Sequence, residues 1–295
     1  MFTQQIINGI VTGAVYALLA LGLTLVFGMH RILNFAHGAV FMWGGLIGYY
    51  LVTAANFPFW AAFVCAMVGA GLISICLDLL VFRPLRRRKG DELSTIVASI
   101  GANLVLITIA QQVTNAQSLR FPFDTFPLEF YRAYGLQISS LQVVIIVTVV
   151  LMVGGLLVYL FKTPLGAQVR AVSIDEPAST LLGVNPARVY LQTFFLSGML
   201  AGAAGVIIGL TFNSISYTMG ESLMLQAFVV IILGGLGSIV GTVAAGVLIG
   251  MIQTLVTAYI SSELSDAILF GILFIVLLVR PNGIFAGFHV EHRAA

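Results

Sequence analysis

Charge is what this sequence has least of. Only 8% of its 295 residues are Asp, Glu, Lys or Arg, where soluble globular chains carry about 25%, so a water-soluble enzyme is excluded. Thirteen basic and eleven acidic side chains leave a net charge of +2, too even a balance for a nucleic-acid-binding surface. Cysteine is nearly absent. Cys65 and Cys76 share one apolar run, roughly three helical turns apart and out of each other's reach. They read as buried small hydrophobes, and no disulfide or metal cluster is implied. Lysine occurs only at Lys89 and Lys162, neither within a GxxxxGK[ST] phosphate loop, so the chain lacks the P-loop means of hydrolysing ATP. The apolar runs contain almost no carboxylates, and Asp78 lies close to a basic stretch. Coupling to protons or sodium normally needs buried acids, and their scarcity argues against secondary transport. No basic n-region precedes the first apolar stretch near Gln5, which runs on too long for a cleavable signal.

Apolar side chains dominate instead, at 60% of the chain. Apolar segments run over 5–28, 38–55, 58–82, 94–113, 141–161, 189–212, 222–236, 238–260 and 266–280. The first six and the eighth can cross a ~30 Å hydrocarbon core as helices. Segments 222–236 and 266–280 are shorter, either capped spans or half-helices that stop within protein. The expected fold is therefore an all-α integral membrane protein. It forms one transmembrane domain over 1–295, a polytopic bundle of eight or nine spans with short or broken helices. Basic residues collect in cytoplasmic loops. Alternating nine crossings from an outside N-terminus groups Arg31, Arg83, Arg86, Arg87, Arg88 and Lys89 with Lys162, Arg170, Arg188, Arg280 and Arg293. Only Arg120 and Arg132 fall on the other side. The N-terminus is thus expected outside and the C-terminus in the cytoplasm.

Glycine recurs at a spacing of four: Gly9/Gly13, Gly44/Gly48, Gly198/Gly202, Gly205/Gly209, Gly237/Gly241 and Gly246/Gly250. In lipid, helices associate where small residues let their backbones approach, so this pattern predicts tight packing and says nothing of cargo. The external loop, 114–140, is rich in aromatics and proline, with Phe121, Pro122, Phe123, Phe126, Pro127, Phe130, Tyr131 and Tyr134. It reads as an ordered interfacial belt or as a docking surface for an external partner.

The stretch 162–188, KTPLGAQVRAVSIDEPASTLLGVNPAR, contains three helix starts. Thr163-Pro164 is an N-cap followed by proline at the first helical position. Asp175 or Glu176 before Pro177 repeats the device, and Gly183 suits the left-handed residue that ends the short helix. Asn185-Pro186 caps the next span. Two preformed cytoplasmic helices follow from this, with Leu181, Leu182 and Val184 offering apolar contact. An inert but structured connector is the plainer alternative.

The run TPLG-x3-RAV-x2-D-x2-A-x2-LLGVN-x2-RV resembles the cytoplasmic coupling loop of branched-chain amino acid ABC importer permeases of the LivH type. Three further stretches resemble the same family: GLTLVFGMHRILNFAHGAVFMWGG (Gly22–Gly45), ILGGLGSIVGTVAAGVLIG (Ile232–Gly250) and RPNGIFAG (Arg280–Gly287). The resemblance implies a non-enzymatic transport subunit in a bacterial inner membrane, without a cofactor or metal of its own. Its partners would be a second permease, two ATPase subunits that bind the ATP, and a periplasmic solute-binding protein. It implies that Gly166, Arg170, Asp175, Glu176, Ala178, Leu182 and Gly183 belong to the loop that docks on the ATPase. Related permeases carry amides, urea or aromatic acids, so the substrate is less narrowly implied than the family. An autonomous channel is the reading from a different class.

The polar groups left within the spans are neutral. Asn34 and His37 sit where the first hairpin turns and either cap helix ends or break a helix beside the translocation path. Asn103 is a third candidate for that path. Gly234, Gly235 and Gly237 have the same two readings, a turn between spans or unwound backbone along the route.

Overall fold

The computed structural model describes residues 2–31, 33–88, 91–127, 129–133, 136–281 and 283–285. Lys89, Tyr134 and Arg293, used in the loop and charge readings above, lie outside them, as do Asn282, Ala286 and Gly287 of the C-terminal signature. Among the described residues, six helices are long and apolar enough to cross a membrane: Phe2–Met29, Phe59–Arg87, Glu92–Val113, Ser140–Lys162, Pro186–Thr211 and Ile239–Tyr259. The elements are α1 (Phe2–His30), α2 (His37–Thr53), α3 (Phe59–Leu77), a π turn (Asp78–Phe82) continuing into α4 (Arg83–Arg87), and α5 (Glu92–Val113). A β-hairpin, β1 (Phe130–Ala133) and β2 (Leu136–Ser139), leads into α6 (Ser140–Lys162). Then come α7 (Pro164–Ile174), α8 (Glu176–Leu181), α9 (Pro186–Thr211), α10 (Met219–Gly234), α11 (Ile239–Tyr259) and α12 (Glu263–Val279). Helices α2 and α12 have 17 residues and α10 has 16, about 25 Å of helix at 1.5 Å per residue.

Helix α1 is the axis of the bundle, walled by α9, α10 and α11. Its seam with α11 is built on glycine. A Cβ on Gly9 or Gly13 would run into the backbone of Met251 or of Gly246 and Val247, and one on Gly250 would strike Gly13. Gly44 of α2 meets Gly202 of α9 in the same way, and Gly198 of α9 meets Gly71 of α3. These helices touch backbone to backbone, as the four-residue spacing predicts. Within the α1–α11 seam the Thr24 and Thr242 hydroxyls lie 2.9 Å apart, fully enclosed. Glycines on the outer helices behave differently: Gly101, Gly154, Gly155 and Gly271 have nothing within 4 Å of a built Cβ.

The outer helices α3, α5, α6 and α12 turn leucine, valine and phenylalanine away from the protein, as at Leu72, Val97, Leu151 and Phe274. Cys65 and Cys76 lie on this outer surface of α3 and are exposed, which corrects the expectation that they are buried. Helix α3 is apolar on every side, so its pattern does not reveal which face meets the bundle.

Two helices start inside the bundle. After α1, the chain turns back, and His37 at the head of α2 reaches the Leu19 carbonyl near the middle of α1. Helix α10 begins beside it, with Gly220 against the Gly38 backbone and Met219 against Gly45. The intervening segment carries Ile215, which is fully enclosed and pairs as an isolated bridge with Leu119 of the long loop. That loop is ordered by its aromatics: Phe121 packs on Tyr49, and Phe126 on Phe59 and Trp60. Gln4 at the head of α1 bonds both backbone groups of Gln137 in β2. The start of α1, the hairpin and the end of α9 therefore share one end of the bundle. The end of α1, helix α7 and the α10–α11 turn share the other.

Candidate functional site

At that second end, 162–188 forms the two helices its caps predict. The Thr163 hydroxyl accepts from the Gly166 N–H at 3.0 Å and starts α7. Gly166 lies so close to α6 that a side chain would strike the Tyr159 carbonyl and Leu160, so α7 folds back onto the bundle. Asp175 closes α7 and caps α8, accepting from the Ala178 N–H at 2.9 Å. Gly183 has φ +86°. Its N–H bonds the Thr180 carbonyl, and that of Val184 bonds Ser179, the paired pattern of a Schellman stop. Asn185 accepts from Ala187 and Arg188 and opens α9.

This short unit is anchored on one side and bare on the other. Val169, Val172 and Ser179 are buried. Ile174, Leu181 and Leu182 are 83–89% exposed, an uncovered apolar knob on a segment otherwise rich in polar groups. Arg170 rests over the Phe161 ring at 5.3 Å, while its Nη1 is shut from solvent and has no hydrogen-bond partner among the described residues.

A chain of contacts that the linear motifs do not reveal ties the knob to the membrane helices. Glu176 accepts a 2.6 Å hydrogen bond from the Tyr190 hydroxyl of α9. The Arg86 guanidinium stacks over the Tyr190 ring, 4.4 Å from its centroid. Arg86 Nη2 in turn pairs with Asp78 Oδ1 at 2.6 Å, and Asp78 is only 1% exposed. The π turn at Asp78–Phe82 explains this last pair. In a regular α-helix, residues eight apart stand about 80° out of line. A wider π turn absorbs the surplus residue and brings them together, and such turns are frequent at functional sites. Below it, the Phe82 and Phe194 rings pack 5.2 Å apart, carrying the contact onward into the α3–α9 seam.

The residues predicted for the path do not form one cluster. Asn34 is 2% exposed, and its side-chain oxygen accepts from the Ala36 N–H, closing the turn before α2. His37 is 1% exposed and donates through Nε2 to the Leu19 carbonyl at 3.2 Å. Its Nδ1 lies 3.4 Å from the Ser197 hydroxyl, which itself donates to Gly22. Asn103 sits half-buried on the peripheral helix α5. Gly234, Gly235 and Gly237 form the α10–α11 turn, with φ +89° at both Gly235 and Gly237, and Gly237 faces Gly28. The C-terminal signature returns to this turn, for the Ile284 N–H donates to Leu233 at 2.9 Å and Gly283 abuts Gly235. Two motifs far apart in sequence thus build one structure. Their shared glycine content is the only hint in the sequence.

The model of the family described as "Branched-chain amino acid transport system / permease component" matches residues 5–277. The high-affinity branched-chain amino acid transport system permease protein LivH of Escherichia coli K12 is 31% identical, over 98% of this chain and 97% of its own. The corresponding protein BraD of Pseudomonas aeruginosa is 30% identical over the same shares. LivM of Salmonella typhimurium, another permease protein of such a system, is 29% identical over 78% of this chain and 59% of its own. Among solved structures, an inward-facing ABC transporter of the metal-chelate type overlays with a TM-score of 0.46 at 18% identity, covering 92% of this chain and 85% of that one.

Proposed function

The chain belongs to the family of branched-chain amino acid transport system permease components, and from that premise we propose how it works. It is the membrane-spanning permease subunit of an ATP-driven importer for branched-chain or related hydrophobic amino acids. Nine helices, the six long ones with α2, α10 and α12, lie in a bacterial inner membrane, with the N-terminus outside and the C-terminus in the cytoplasm. ATP is bound and hydrolysed by two partner subunits. A periplasmic protein delivers the amino acid, and a second permease completes the membrane channel; the similarity to both LivH and LivM favours a heterodimer.

One observation carries the coupling: an exposed apolar knob, Ile174, Leu181 and Leu182, on capped helices wired to α3 through Glu176, Tyr190, Arg86 and Asp78. Gly166 holds α7 against α6, while Asp175, Ala178 and Gly183 set the length of α8. Arg170 and Leu182 meet the ATPase. When the ATPase pair closes around ATP, α8 moves and Tyr190 and Arg86 pass the displacement to the π turn, so that α3 and α9 rock together. Asn34, His37, Asn103 and the Gly234–Gly237 turn lie along or beside the path that opens. The test is purification from the native membrane followed by reconstitution. The chain should bring an ATPase with it, and leucine uptake should require both ATP and the external binding protein. ATP-independent leucine flux through the purified chain would identify a channel instead.

A further inference from the structure

Helices α6 and α9 run antiparallel and meet only loosely. Leu156 and Leu160 of α6 are buried, whereas Leu151 and Val158 are 68% and 58% exposed. Between the two helices lies a groove of about 180 Å³, walled by Met152, Leu156 and Tyr159 of α6 and by Leu196 and Met199 of α9. Gly155 also lines it and is exposed. A Cβ built there would meet nothing within 4 Å, so the groove opens to the outside of the bundle at this position. Both helices are long and apolar enough to cross a membrane, which sets the groove at hydrocarbon depth.

Polarity rises toward one end of this seam. The Tyr159 hydroxyl donates to Gln192 Oε1 at 3.3 Å and bridges the two helices. Lys162 stands three residues beyond Tyr159, and Arg188 four residues before Gln192. Each therefore neighbours the bridge on its own helix face, at the end of the bundle that carries α7 and α8. Both are exposed, and the only ion pair among the described residues, Arg86 with Asp78, involves neither. An apolar groove, a neutral polar bridge and two unpaired cations follow in order. A phospholipid presents the matching sequence of acyl chain, glycerol ester and phosphate.

Other occupants match less well. No carboxylate lines the groove, so the ammonium group of an amino acid would find no counter-charge. A protein helix would have to bring its own acids to Lys162 and Arg188, whereas an anionic lipid has its charge at that depth already. Lysine and arginine at a membrane surface attract anionic lipids, and their flexible stems lie along apolar surface while the charge stays at headgroup level. Met152 and Met199 adapt readily to an irregular neighbour.

We propose that the α6–α9 groove binds an anionic phospholipid, with one acyl chain between Leu156 and Met199 and the phosphate held by Lys162 and Arg188. A lipid seated there would brace α6, which leads into α7, against α9, which follows α8.

The experiment uses the whole complex in lipid nanodiscs, with phosphatidylglycerol that carries a diazirine midway along one acyl chain. Light should attach it to peptides covering 152–159 and 196–200. Unlabelled phosphatidylglycerol should displace it about tenfold better than phosphatidylcholine does, and inorganic phosphate should not displace it. Lys162→Gln with Arg188→Gln should lower the labelling about tenfold, at exposed positions where folding is not at stake. Gly155→Phe, which adds bulk at the opening, should lower it as well. Arg87→Gln with Arg88→Gln removes as much charge from the same end of the bundle and should leave the labelling unchanged. Labelling unaltered by both the Lys162/Arg188 and Gly155 changes overturns the site. An equal fall in the Arg87/Arg88 variant also overturns it, because general attraction to a basic surface would then suffice. Absence of label from both peptides in the wild-type complex refutes it outright, since the groove would then be covered by protein.

Discussion

The Tyr190 hydroxyl lies 2.6 Å from Glu176 Oε2, joining the early part of α9 to α8, a helix of only six residues. A helix so short has little stability of its own, so its orientation depends on such anchors. The contact spans 14 residues, and the same Tyr190 ring carries Arg86 on its face. Displacement of α8 cannot leave α9 and the π turn untouched while these contacts persist.

Tyr190→Phe removes the hydrogen bond and keeps the ring under Arg86. Glu176 is exposed, so the stability lost should be about 1 kcal/mol or less. Coupling should suffer more than folding. Reconstituted transporter should keep most of its basal ATP hydrolysis and lose most of its leucine uptake, with Glu176→Gln milder because its amide oxygen still accepts. Equal uptake per ATP in Tyr190→Phe and wild type would remove Tyr190 from the transmission route.

Arg86→Ala leaves the Asp78 carboxylate enclosed without its partner. Breaking a buried pair costs roughly 3–5 kcal/mol, and the 24% exposure of Arg86 puts this one toward the lower figure. Replacing both, as Asp78→Asn with Arg86→Ala, should recover part of the loss, because no uncompensated charge remains. Thermal unfolding of the purified complex in detergent measures this; a double variant less stable than Arg86→Ala alone would contradict the pairing.

Gly183→Val should abolish uptake while membrane insertion stays normal. Nothing lies within 4 Å of a Cβ built there, so the penalty is conformational, about 1–2 kcal/mol for a left-handed residue. It falls on the stop that fixes the length of α8. Gly183→Asn, which tolerates the same backbone, should restore transport. If asparagine and valine are equally damaging, the left-handed backbone is not the cause.

Helices α7 and α8 were legible because their signals are local. Thr163, Asp175 and Asn185 each cap a helix two or three residues on, and a cap is written within one turn of sequence. Glycine spacing foretold tight backbone packing for a similar reason, since small residues four apart lie on one helix face, but not that α1 would meet α11 or α2 meet α9. The wiring behind α7 and α8 was not legible. Arg86 reaches Asp78 only because a π turn intervenes, and Tyr190 meets both Arg86 and Glu176 through tertiary packing. Burial on α3 was equally hidden: with apolar residues all round, nothing in the pattern turns Cys65 inward or outward. The re-entry of the chain before α2 was legible only as two alternatives at Asn34 and His37, and packing around His37 determines its position.

Single cysteines test the orientation. Because Cys65 and Cys76 are exposed on α3, both should first be replaced by alanine. Arg88 is a better probe than Arg86, whose side chain is engaged, and Gln117 marks the opposite end; both are exposed. An impermeant maleimide added to intact cells should label Gln117→Cys and leave Arg88→Cys unmodified until the membrane is opened. The reverse pattern would invert the proposed topology and move α7 and α8 to the outside.

His37 and Asn103 both read as path residues, yet their surroundings predict different losses. His37 is enclosed and hydrogen-bonded to the Leu19 carbonyl, at the point where α2 begins inside the bundle. His37→Ala leaves that acceptor unpaired and opens a void, at a cost of roughly 1–3 kcal/mol for the lost bond alone. Folded yield and unfolding temperature should fall, and uptake should fall in proportion to the protein that remains folded. Asn103 is half-buried on a peripheral helix, so Asn103→Leu should leave stability almost unchanged. If Asn103 borders the path, its loss should lower the maximal uptake rate while apparent affinity for loaded binding protein stays the same. Uptake measured across binding-protein concentrations, normalised to folded transporter, separates the two. A normal rate per folded molecule in Asn103→Leu would take Asn103 off the path, whereas a depressed rate per folded molecule in His37→Ala would add cargo contact to the scaffold role of His37.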